Sequence, residues 1–431
     1  MLDLLLRLSG SEVPACVELY RRLEEAPPAV VDEYQRLMLL RLLRHCRVHV
    51  PRYRVLLEEH GLDLSDHFTP RELSKLPLLT KNDLRAHRSD LVSDDAKARK
   101  PFWNSSGGST GSPVAFLQDR AYRDRNVIAA KLLYNEILGK LPGDREINLW
   151  GSADDLRRGT VGPRARLVNF FYNRRFLNCF RVSDDTLARH VREINRFRPV
   201  SLWAYAQSLE LLAKFVQRTG VSVHSPQLVV STASPLHDDV RRLVHEVFRC
   251  PVYDQYGCRE AGAIAFETAE RGGLRGLPYL NYVELVDGRI VVTPLTNYSM
   301  PLLRYELGDT AEPWTGPQDT RYGCRRRLFA SVTGRMHSHF RTAAGELVHG
   351  GYFARQFFFR TWIRQFQVVQ DALEHVTCHI VAADEPGPGE LADIRRGIRA
   401  AMGPRCEVEF RFTDEIRPPP SGKHQYTICN L

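Results

Sequence analysis

The sequence predicts a large α/β domain followed by a small α+β domain. The chain has 431 residues, more than one hydrophobic core usually organises, so at least two domains are expected. Its middle part alternates short strand-like runs with amphipathic helical patterns, which is typical of α/β layers. The pattern changes again beyond Gly334, where about a hundred residues remain, enough for a separate module.

The first part of the chain, residues 1–100, is predicted to be helical. Apolar residues recur at three- and four-residue spacing between Val30 and Leu43, which indicates an amphipathic helix. Thr69 and Thr80 each stand three residues before an acid, the pattern of a capped helix start. We expect this helical region to belong to an N-terminal domain of residues 1–333.

Residues 101–333 are predicted to form the α/β part of the N-terminal domain. Four runs are strand-like, at residues 146–150, 228–231, 252–254 and 289–293. Helical periodicity predicts amphipathic helices at residues 186–197, 208–219 and 237–248.

Residues 334–431 are predicted to form the small domain. Strand-like runs lie at residues 366–370, 376–381 and 406–412, and helical periodicity covers residues 390–402. This mixture predicts a compact α+β module.

Composition excludes several classes of protein. Hydrophobic residues make up 43% and charged residues 26%, which argues against wholesale disorder and collagen-like chains. No apolar run approaches the about 20 residues of a membrane span, and the first residues lack the pattern of a secretory signal. The nine cysteines contain no C-x-x-C pair, so we expect free thiols, a reducing compartment and a cytoplasmic location without a membrane partner.

The formal charge is +9, from 60 Lys and Arg residues against 51 Asp and Glu residues. A mild basic excess suits an anionic ligand such as a nucleotide or coenzyme, and it also suits weak nucleic-acid binding. The basic runs near residues 157–166, 321–327 and 395–399 are far apart and lack a stacking motif. They favour solvated faces, so no nucleic-acid partner is expected.

A segment rich in glycine and hydroxyl residues runs from Ser105 to Pro113. Backbone amides and hydroxyls in such a loop can form a concave cradle for phosphate oxygens. The segment lacks the Lys of a Walker A loop, and its glycine spacing is not that of a Rossmann fingerprint. A flexible linker is the alternative interpretation.

A second motif covers residues 252–262. A strand that ends at Tyr256 and Gly257 would let the backbone approach a flat ligand, and Glu260 just beyond could hold a divalent ion beside phosphates. A β-turn with a surface acid is the alternative interpretation.

Three further residues are candidates for chemistry. Asp309 follows a glycine at a predicted strand end and could accept hydrogen bonds from a ribose diol, or bond its own backbone in a turn. Arg335 lies where the sequence pattern changes, which by itself predicts an ordinary turn. Lys423 is the sole Lys after Lys214, and a compact ammonium on a loop differs in function from a guanidinium, although an ordinary surface Lys is also possible.

In order and spacing, these five motifs resemble those of the adenylate-forming (acyl-CoA synthetase-like) superfamily. Residues 254–265 and 347–353 look specific to its phenylacetate–CoA ligase branch, which includes CapK-like proteins of capsular polysaccharide biosynthesis. The resemblance covers residues 30–431. It implies the adenylate-forming fold, with mixed sheets flanked by helices and a small mobile α+β C-terminal domain. It also implies an AMP-forming ligase that uses ATP and Mg²⁺ to convert a carboxylic acid into an acyl-adenylate.

The resemblance assigns a role to each motif. Glu260 would coordinate Mg²⁺, Asp309 would hold the ribose hydroxyls, and Arg335 would assist from the domain junction. Lys423 would reach the reacting carboxylate and the α-phosphate. The ATP phosphates would be wrapped by Ser105, Ser106, Gly107, Gly108, Ser109, Thr110 and Gly111, and the adenine lined by Ala233, Ser234, Asp254, Gln255, Tyr256 and Gly257.

The sequence departs from its relatives at three places. The segment Gly334-Arg-Met-His-Ser338 lacks the acids of the usual hinge, and we expect the pivot at His337. Ser234 stands where relatives often carry Glu. Thr268 and Arg275 stand at the places of zinc ligands in several relatives, and because neither suits that site we expect no zinc.

The substrates are less well defined. Trp150, Gly151, Tyr205 and Ser231 could wall an acyl pocket or belong to the core, and an aryl or arylalkyl acid is favoured. The expected acceptor is coenzyme A, with an amine or hydroxyl of a natural product or polysaccharide as the alternative. A non-catalytic nucleotide-binding scaffold is another possibility, which the altered hinge favours and the intact motifs oppose. The sequence is compatible with a monomer or a homodimer.

Overall fold

The computed structural model describes residues 6, 10–105, 114–150, 163–179, 184–270, 272–335, 339–345, 347–358, 360, 362–417 and 425–431. The α-helices of these ranges are α1 (Val13–Glu24), α2 (Pro28–His49), α3 (Pro51–Glu59), α4 (Lys81–Ala86), α5 (Arg120–Tyr122), α6 (Ala130–Ile137), α7 (Pro163–Phe171), α8 (Asp184–Phe197), α9 (Ala206–Thr219), α10 (Asp238–Phe248), α11 (Gly350–Phe358) and α12 (Glu390–Met402). A π-helical stretch, Arg123–Ala129, joins α5 to α6, and 3-10 turns occupy Pro70–Lys75, Ala96–Arg99 and Gly323–Arg325.

The described strands are β1 (Phe102–Ser105), β2 (Ala115–Gln118), β3 (Glu146–Trp150), β4 (Arg174–Asn178), β5 (Ser201–Tyr205), β6 (Leu228–Thr232), β7 (Val252–Cys258), β8 (Gly262–Phe266), β9 (Leu274–Gly276), β10 (Asn281–Val286), β11 (Arg289–Pro294), β12 (Tyr305–Pro313), β13 (Arg327–Arg335), β14 (His339–Arg341), β15 (Leu347–His349), β16 (Ile363–Ala372), β17 (His375–Ala382), β18 (Glu407–Phe412) and β19 (Thr427–Cys429).

Capped helix starts were predicted at Thr69 and Thr80, and the structure shows the one at Thr80. Thr80 forms a capping box with Asp83: its hydroxyl accepts from the Asp83 amide at 3.2 Å, and the Asp83 carboxylate accepts from the Thr80 amide at 2.8 Å. Thr69 instead precedes a 3-10 turn, and its side chain makes no capping bond.

One sheet of eleven strands organises most of the chain, in the order β10-β11-β12-β13-β9-β8-β7-β6-β5-β3-β4. Strands β7, β6, β5, β3 and β4 are mutually parallel, whereas the other half is antiparallel. The expected mixed sheet with flanking helices is therefore confirmed.

Helices cover both faces of the parallel strands. Along β5, Leu202 and Ala204 join a core formed with α8, α9 and α10, whereas Trp203 between them joins a core formed with α1 and α6. Successive side chains of a strand point to opposite faces, so a strand buried on both sides has an almost continuous apolar sequence. All five residues of β5 are buried, as this arrangement requires.

The C-terminal part of the chain forms a separate sheet with its own core. Its four strands follow the order β18-β17-β16-β19, and helices α11 and α12 pack against them. The helix predicted at residues 390–402 is observed with those bounds. We call residues 339–431 the C-terminal unit below.

Two further observations concern the cysteines and the possibility of a membrane-spanning helix. All nine cysteines are free thiols. Within the described ranges, we find no helix with the length and apolar character needed to cross a bilayer.

Candidate active site

Several of the predicted site residues lie at the carboxyl ends of the parallel strands of the large sheet. Because β3, β5, β6 and β7 run parallel, their carboxyl ends lie side by side, and ligands of open α/β sheets bind at such an edge. Trp150 ends β3 and Tyr205 ends β5, and their ring centroids are 4.9 Å apart. The structure brings these two predicted pocket residues into contact.

The end of β6 and the residue that follows it carry two features typical of a binding site. The Ser231 side chain is fully buried, and its hydroxyl has no hydrogen-bond partner among the described residues. Ala233 has a φ of +73°, a left-handed conformation that costs energy for a residue with a Cβ and that clusters at functional sites. Thr232 between them donates to the Gln255 side-chain oxygen at 2.8 Å, which ties this segment to β7. Ser234 follows directly and is half-buried.

Tyr256 and Asp309 connect the second and third motifs. The Tyr256 hydroxyl donates to Oδ2 of Asp309 at 2.8 Å, and the Asp309 side chain is almost buried. The phenol ring meets Phe329 edge-on, with the ring centroids 6.3 Å apart. Tyr256 and Asp309 are thus in direct contact although they are 53 positions apart in the sequence.

The strand end predicted at Asp309 is wrong by four residues, and the one predicted at Gly257 is early by one residue. Asp309 lies inside β12, which continues to Pro313. Gly308, with a φ of +78°, and a shift in the β11–β12 register bend the strand at this point instead of ending it. Strand β7 likewise continues past Gly257 to Cys258.

Gly257 is required by the packing of its own hairpin. A Cβ at this position would lie 2.4 Å from the carbonyl oxygen of Gly262 on β8, closer than a carbon atom can approach. A glycine is therefore required here by the pairing of β7 with β8.

Glu260 lies at the turn between β7 and β8 and is almost buried, so it is not a surface acid. Its main-chain oxygen accepts from the Tyr122 hydroxyl at 3.2 Å, which fixes the turn. A buried carboxylate is a suitable donor for Mg²⁺, which prefers oxygen ligands.

Asp254 lies on β7 opposite Ser231. Burial and the neighbouring Glu267 carboxylate raise the pKa of Asp254 to about 7. Arg241 pairs with Glu267 at 2.7 Å and partly offsets this shift. Strand β7 therefore carries a buried carboxyl group, that of Asp254, whose pKa lies near neutrality.

Arg335 pairs with Asp309 in the register of β12 and β13. The third and fourth motifs are therefore neighbours across two adjacent strands. A contact between the hydroxyls of Thr310 and Thr333, 2.9 Å apart, joins the same strands one step away.

Several predicted residues lie outside the described ranges: Ser106, Gly107, Gly108, Ser109, Thr110, Gly111, Gly151, His337 and Lys423. Ser105 ends β1 and pairs with Ala115 of β2, so an antiparallel hairpin brackets the glycine-rich segment. Lys423 is followed closely by Tyr426, whose hydroxyl donates to Oε2 of Glu210 at 2.8 Å. Glu210 lies on α9, the helix that begins directly after Tyr205.

Sequence reasoning assigned no role to Arg259, Glu210 or Tyr426. Arg259 donates to the main-chain oxygen of Ser105 at 3.3 Å. The sequence contained a signal for a role of Arg259: this residue stands next to Glu260 and is the one cation of the motif at residues 252–262. No sequence signal relates Glu210 to Tyr426, which are 216 positions apart.

Arg275, at a place where several relatives carry a zinc ligand, forms a buried ion pair with Glu24 at 2.9 Å. A separate cavity of about 590 Å³ lies between α9, α10 and the C-terminal unit, where Phe215, Leu243 and Ile363 line it. The predicted site residues do not line this cavity.

Comparison with known proteins agrees with these motifs. The family model described as "CapK C-terminal domain" matches residues 340–430. Protein CapK of Staphylococcus aureus is 22% identical over 375 residues, which cover 84% of this chain and 81% of that protein. A phenylacetate–coenzyme A ligase of Pseudomonas putida is 25% identical over 311 residues, which cover 67% of this chain and 68% of that protein.

A solved structure shares the fold over nearly the whole chain. The crystal structure of 2-hydroxyisobutyryl-CoA ligase in the postadenylation state, in complex with 2-HIB-AMP, superposes with a TM-score of 0.74 at 19% identity and covers 95% of this chain and 92% of that one. The same ligase in the thioesterification state gives a TM-score of 0.61 at 18% identity and covers 95% of this chain and 91% of that one. Motifs, sequence relatives and fold agree: the C-terminal unit matches the CapK C-terminal domain, and the chain as a whole is similar to CapK and to the phenylacetate–coenzyme A ligases and shares the fold of an adenylate-forming CoA ligase.

Proposed function

We propose that the protein activates an aryl or arylalkyl carboxylic acid with ATP as an acyl-adenylate and transfers the acyl group to coenzyme A. The observation that carries this proposal is the meeting of the second and third motifs in the 2.8 Å contact between Tyr256 and Asp309. That contact lies at the sheet edge where α/β proteins bind nucleotides.

Asp309 and Tyr256 would orient the nucleoside. A carboxylate accepts two hydrogen bonds from a ribose diol, and the Tyr256 hydroxyl holds that carboxylate in one orientation. Ser231, Ala233 and Ser234 would line the adenine from the end of β6. Arg335 would assist from the strand next to Asp309.

The chemical step joins two anions. A carboxylate must attack an α-phosphate that is itself negatively charged, so positioned positive charge stabilises the transition state. Glu260 is the residue that would hold Mg²⁺, which would neutralise phosphate charge when bound. Lys423 would supply a cation at the reacting oxygens, and the anchoring of nearby Tyr426 on α9 supports this role.

The acid would bind beside the aromatic pair Trp150 and Tyr205. Two rings whose centroids lie 4.9 Å apart, tilted by 50°, offer apolar surface that suits an aromatic ring. Gly151 would belong to the same surface. This supports an aryl or arylalkyl acid over a short polar acid.

A second acceptor class is favoured by one observation. The match to CapK covers 84% of the chain, against 67% for the phenylacetate–coenzyme A ligase, and the C-terminal unit matches the CapK family model. An amine or hydroxyl of a natural product or polysaccharide is therefore the alternative acceptor.

The test is pyrophosphate release from Mg·ATP across a panel of carboxylic acids, with hydroxylamine present to trap the adenylate. We expect one class of aromatic acids to stimulate release and to yield its hydroxamate. Coenzyme A or candidate amines added next would identify the acceptor by the product formed. ATP binding without release for any acid would favour the non-catalytic scaffold, and no ATP binding would contradict the proposal.

A further inference from the structure

Two histidines lie one turn apart near the end of helix α2. His45 and His49 are four positions apart, a spacing that places both side chains on the same face of the helix. Their ring centroids are 4.9 Å apart, and the ring planes are tilted by 31°. Histidines at this spacing on a helix are a recurrent zinc-binding pattern. Neither ring takes part in the chemistry proposed above.

A carboxylate from another segment completes the group. Asp95 directly precedes the 3-10 turn at Ala96–Arg99, and His45, His49 and Asp95 each offer one ligand atom within 4.8 Å of the other two. Within the described ranges, this is the one such group of His, Cys, Asp or Glu side chains. All three residues are half-buried, so an ion can reach them from solution.

Both histidine rings are held by further partners. Nδ1 of His49 lies 2.7 Å from Oδ1 of Asp94, and Nε2 of His45 lies 3.0 Å from the main-chain oxygen of Tyr298. Ligating histidines usually have a carboxylate or a main-chain oxygen as a second partner, which orients the ring. The Asp94 amide also donates to the main-chain oxygen of His49 at 2.9 Å. The fold therefore orients both rings before any ion binds.

The Asp95 carboxylate is oriented as well. Its Oδ1 accepts from the Ser93 hydroxyl at 2.6 Å, and Arg99 donates to Oδ1 at 3.3 Å and to Oδ2 at 2.5 Å. A carboxylate has about four lone-pair positions, so these three bonds leave one for a metal ion. The guanidinium of Arg99 competes with a cation for this carboxylate, so we expect moderate affinity.

We propose that His45, His49 and Asp95 bind a divalent transition-metal ion, Zn²⁺ by preference, which fastens the end of α2 to the segment before the 3-10 turn. Two imidazoles and a carboxylate are a ligand set that suits Zn²⁺, with water in the fourth position. Because zinc holds nitrogen at about 2.0–2.1 Å, small side-chain rotations bring all three ligand atoms to one ion. This site is separate from the zinc position of relatives, where Thr268 and Arg275 stand, and it does not depend on the proposed ligase activity.

The experiment is calorimetric titration of the full chain, without a histidine tag, with Zn²⁺. We expect one ion per chain with a dissociation constant on the order of micromolar. His49→Gln and Asp95→Asn, which each remove a ligand, should weaken binding by about 100-fold, and Asp94→Asn, which removes a partner of a ligand, by about 10-fold. The matched control is His60→Gln, which removes an exposed histidine that contacts the Leu56 main-chain oxygen.

Titration with Co²⁺ separates this site from the nine free thiols. Co²⁺ held by nitrogen and oxygen lacks the charge-transfer absorption of a thiolate complex, so such absorption at the first equivalent would overturn the inference. Zn²⁺ should also raise the melting temperature of the wild-type chain by a few degrees and leave that of His49→Gln unchanged.

Several results would contradict this site. Equal Zn²⁺ affinity in the wild-type chain and His49→Gln would overturn it, as would losses no larger than that of His60→Gln. A wild-type chain that binds Zn²⁺ only at millimolar concentration, or whose melting temperature does not rise, would overturn it as well. Unfolding curves without metal identify a variant that fails to fold, and if this is His49→Gln, Asp95→Asn decides. None of these results bears on adenylation.

Discussion

The hydroxyl of Tyr426 donates a 2.8 Å hydrogen bond to Oε2 of Glu210, and this bond joins the C-terminal unit to the helix that starts beside Tyr205. Glu210 is buried and also pairs with Lys214 at 2.9 Å. On the other side, the Tyr426 main-chain oxygen accepts from the Val368 amide at 2.8 Å, which anchors the residue in its own unit. The contact therefore joins the C-terminal unit to helix α9 of the N-terminal part of the chain.

Replacing Tyr426 by Phe is expected to slow adenylation more than acyl transfer. The hydroxyl bond stabilises this arrangement of the two units, and because its acceptor is a carboxylate it contributes about 1.5–3 kcal/mol, or roughly a 10- to 100-fold effect. ATP–pyrophosphate exchange measures the first step, and transfer from preformed acyl-adenylate measures the second. Tyr352→Phe, which loses a hydroxyl bond to Gly397 within the C-terminal unit, is the matched control. Equal slowing of both steps would contradict this assignment.

Asp309→Asn is expected to raise the KM for ATP by about 10- to 100-fold, because hydrogen bonds to a charged group are worth about 1.5–3 kcal/mol. Tyr256→Phe should raise it by a smaller factor, since the carboxylate remains but is no longer held by the phenol. Initial rates at varied ATP concentration measure both effects. An unchanged KM in Asp309→Asn would remove Asp309 from the nucleotide site.

Lys423→Ala is expected to slow adenylation by about 10²–10³ while ATP binding stays largely intact, by analogy with the loss of one preorganised donor to a transition state. Single-turnover formation of the adenylate and a separate ATP titration distinguish the two quantities. Lys97→Ala removes an exposed Lys of the N-terminal region and serves as the control. A normal adenylation rate in Lys423→Ala would show that this lysine does not reach the reacting groups.

The raised pKa of Asp254 predicts that the stability of the fold depends on pH. Its pKa is raised to about 7 from an ordinary value of 3.8, so the folded chain holds this proton more tightly than the unfolded chain. The resulting stabilisation is fully present below the unfolded pKa and is lost as the pH rises through about 7. Urea unfolding of the wild-type chain at several pH values between about 4 and 8, compared with Asp254→Asn, measures it. We expect the variant to lose less stability over this range, and parallel profiles would contradict the assignment.

Gly257→Ala is expected to destabilise the fold by about 1–3 kcal/mol, the usual cost of overpacking. The new Cβ would collide with the backbone oxygen of Gly262, which cannot move without breaking the β7–β8 hairpin. Gly387→Ala is the control, because its Cβ would lie 3.6 Å from the flexible Glu390 side chain. Chemical unfolding measures both variants, and similar values for the two would show that the hairpin yields easily.

Local sequence signals predicted the elements of this fold better than the contacts between them. The capping box at Thr80 and the helix at residues 390–402 are encoded within a few neighbouring residues, and both were found. The position of Asp309 inside β12 was missed. A bend within a strand at Gly308 and the end of a strand produce similar sequence patterns.

Long-range contacts were beyond sequence reasoning for a physical reason. Tyr426 and Glu210 are ordinary residues locally, and their bond depends on how two separately folded sheets are placed. The resemblance to a family assigned Tyr256 and Asp309 to one nucleotide, and it did not predict the hydrogen bond between them. The contact of Arg259 with Ser105 likewise arises from the path of β7 past the hairpin, which no spacing in the sequence encodes.

The buried pair of Arg275 and Glu24 has a practical consequence for the boundaries of recombinant fragments. The family resemblance begins at residue 30, and α1 precedes it, yet Glu24 at the end of that helix neutralises the Arg275 guanidinium inside the protein. Tyr20 of the same helix stacks on Tyr279 with ring centroids 4.3 Å apart. A fragment trimmed to the family-like region would leave a buried cation without its counter-ion, a loss that typically costs about 3–5 kcal/mol. Recombinant fragments for expression and crystallisation should therefore include α1 and start before Val13.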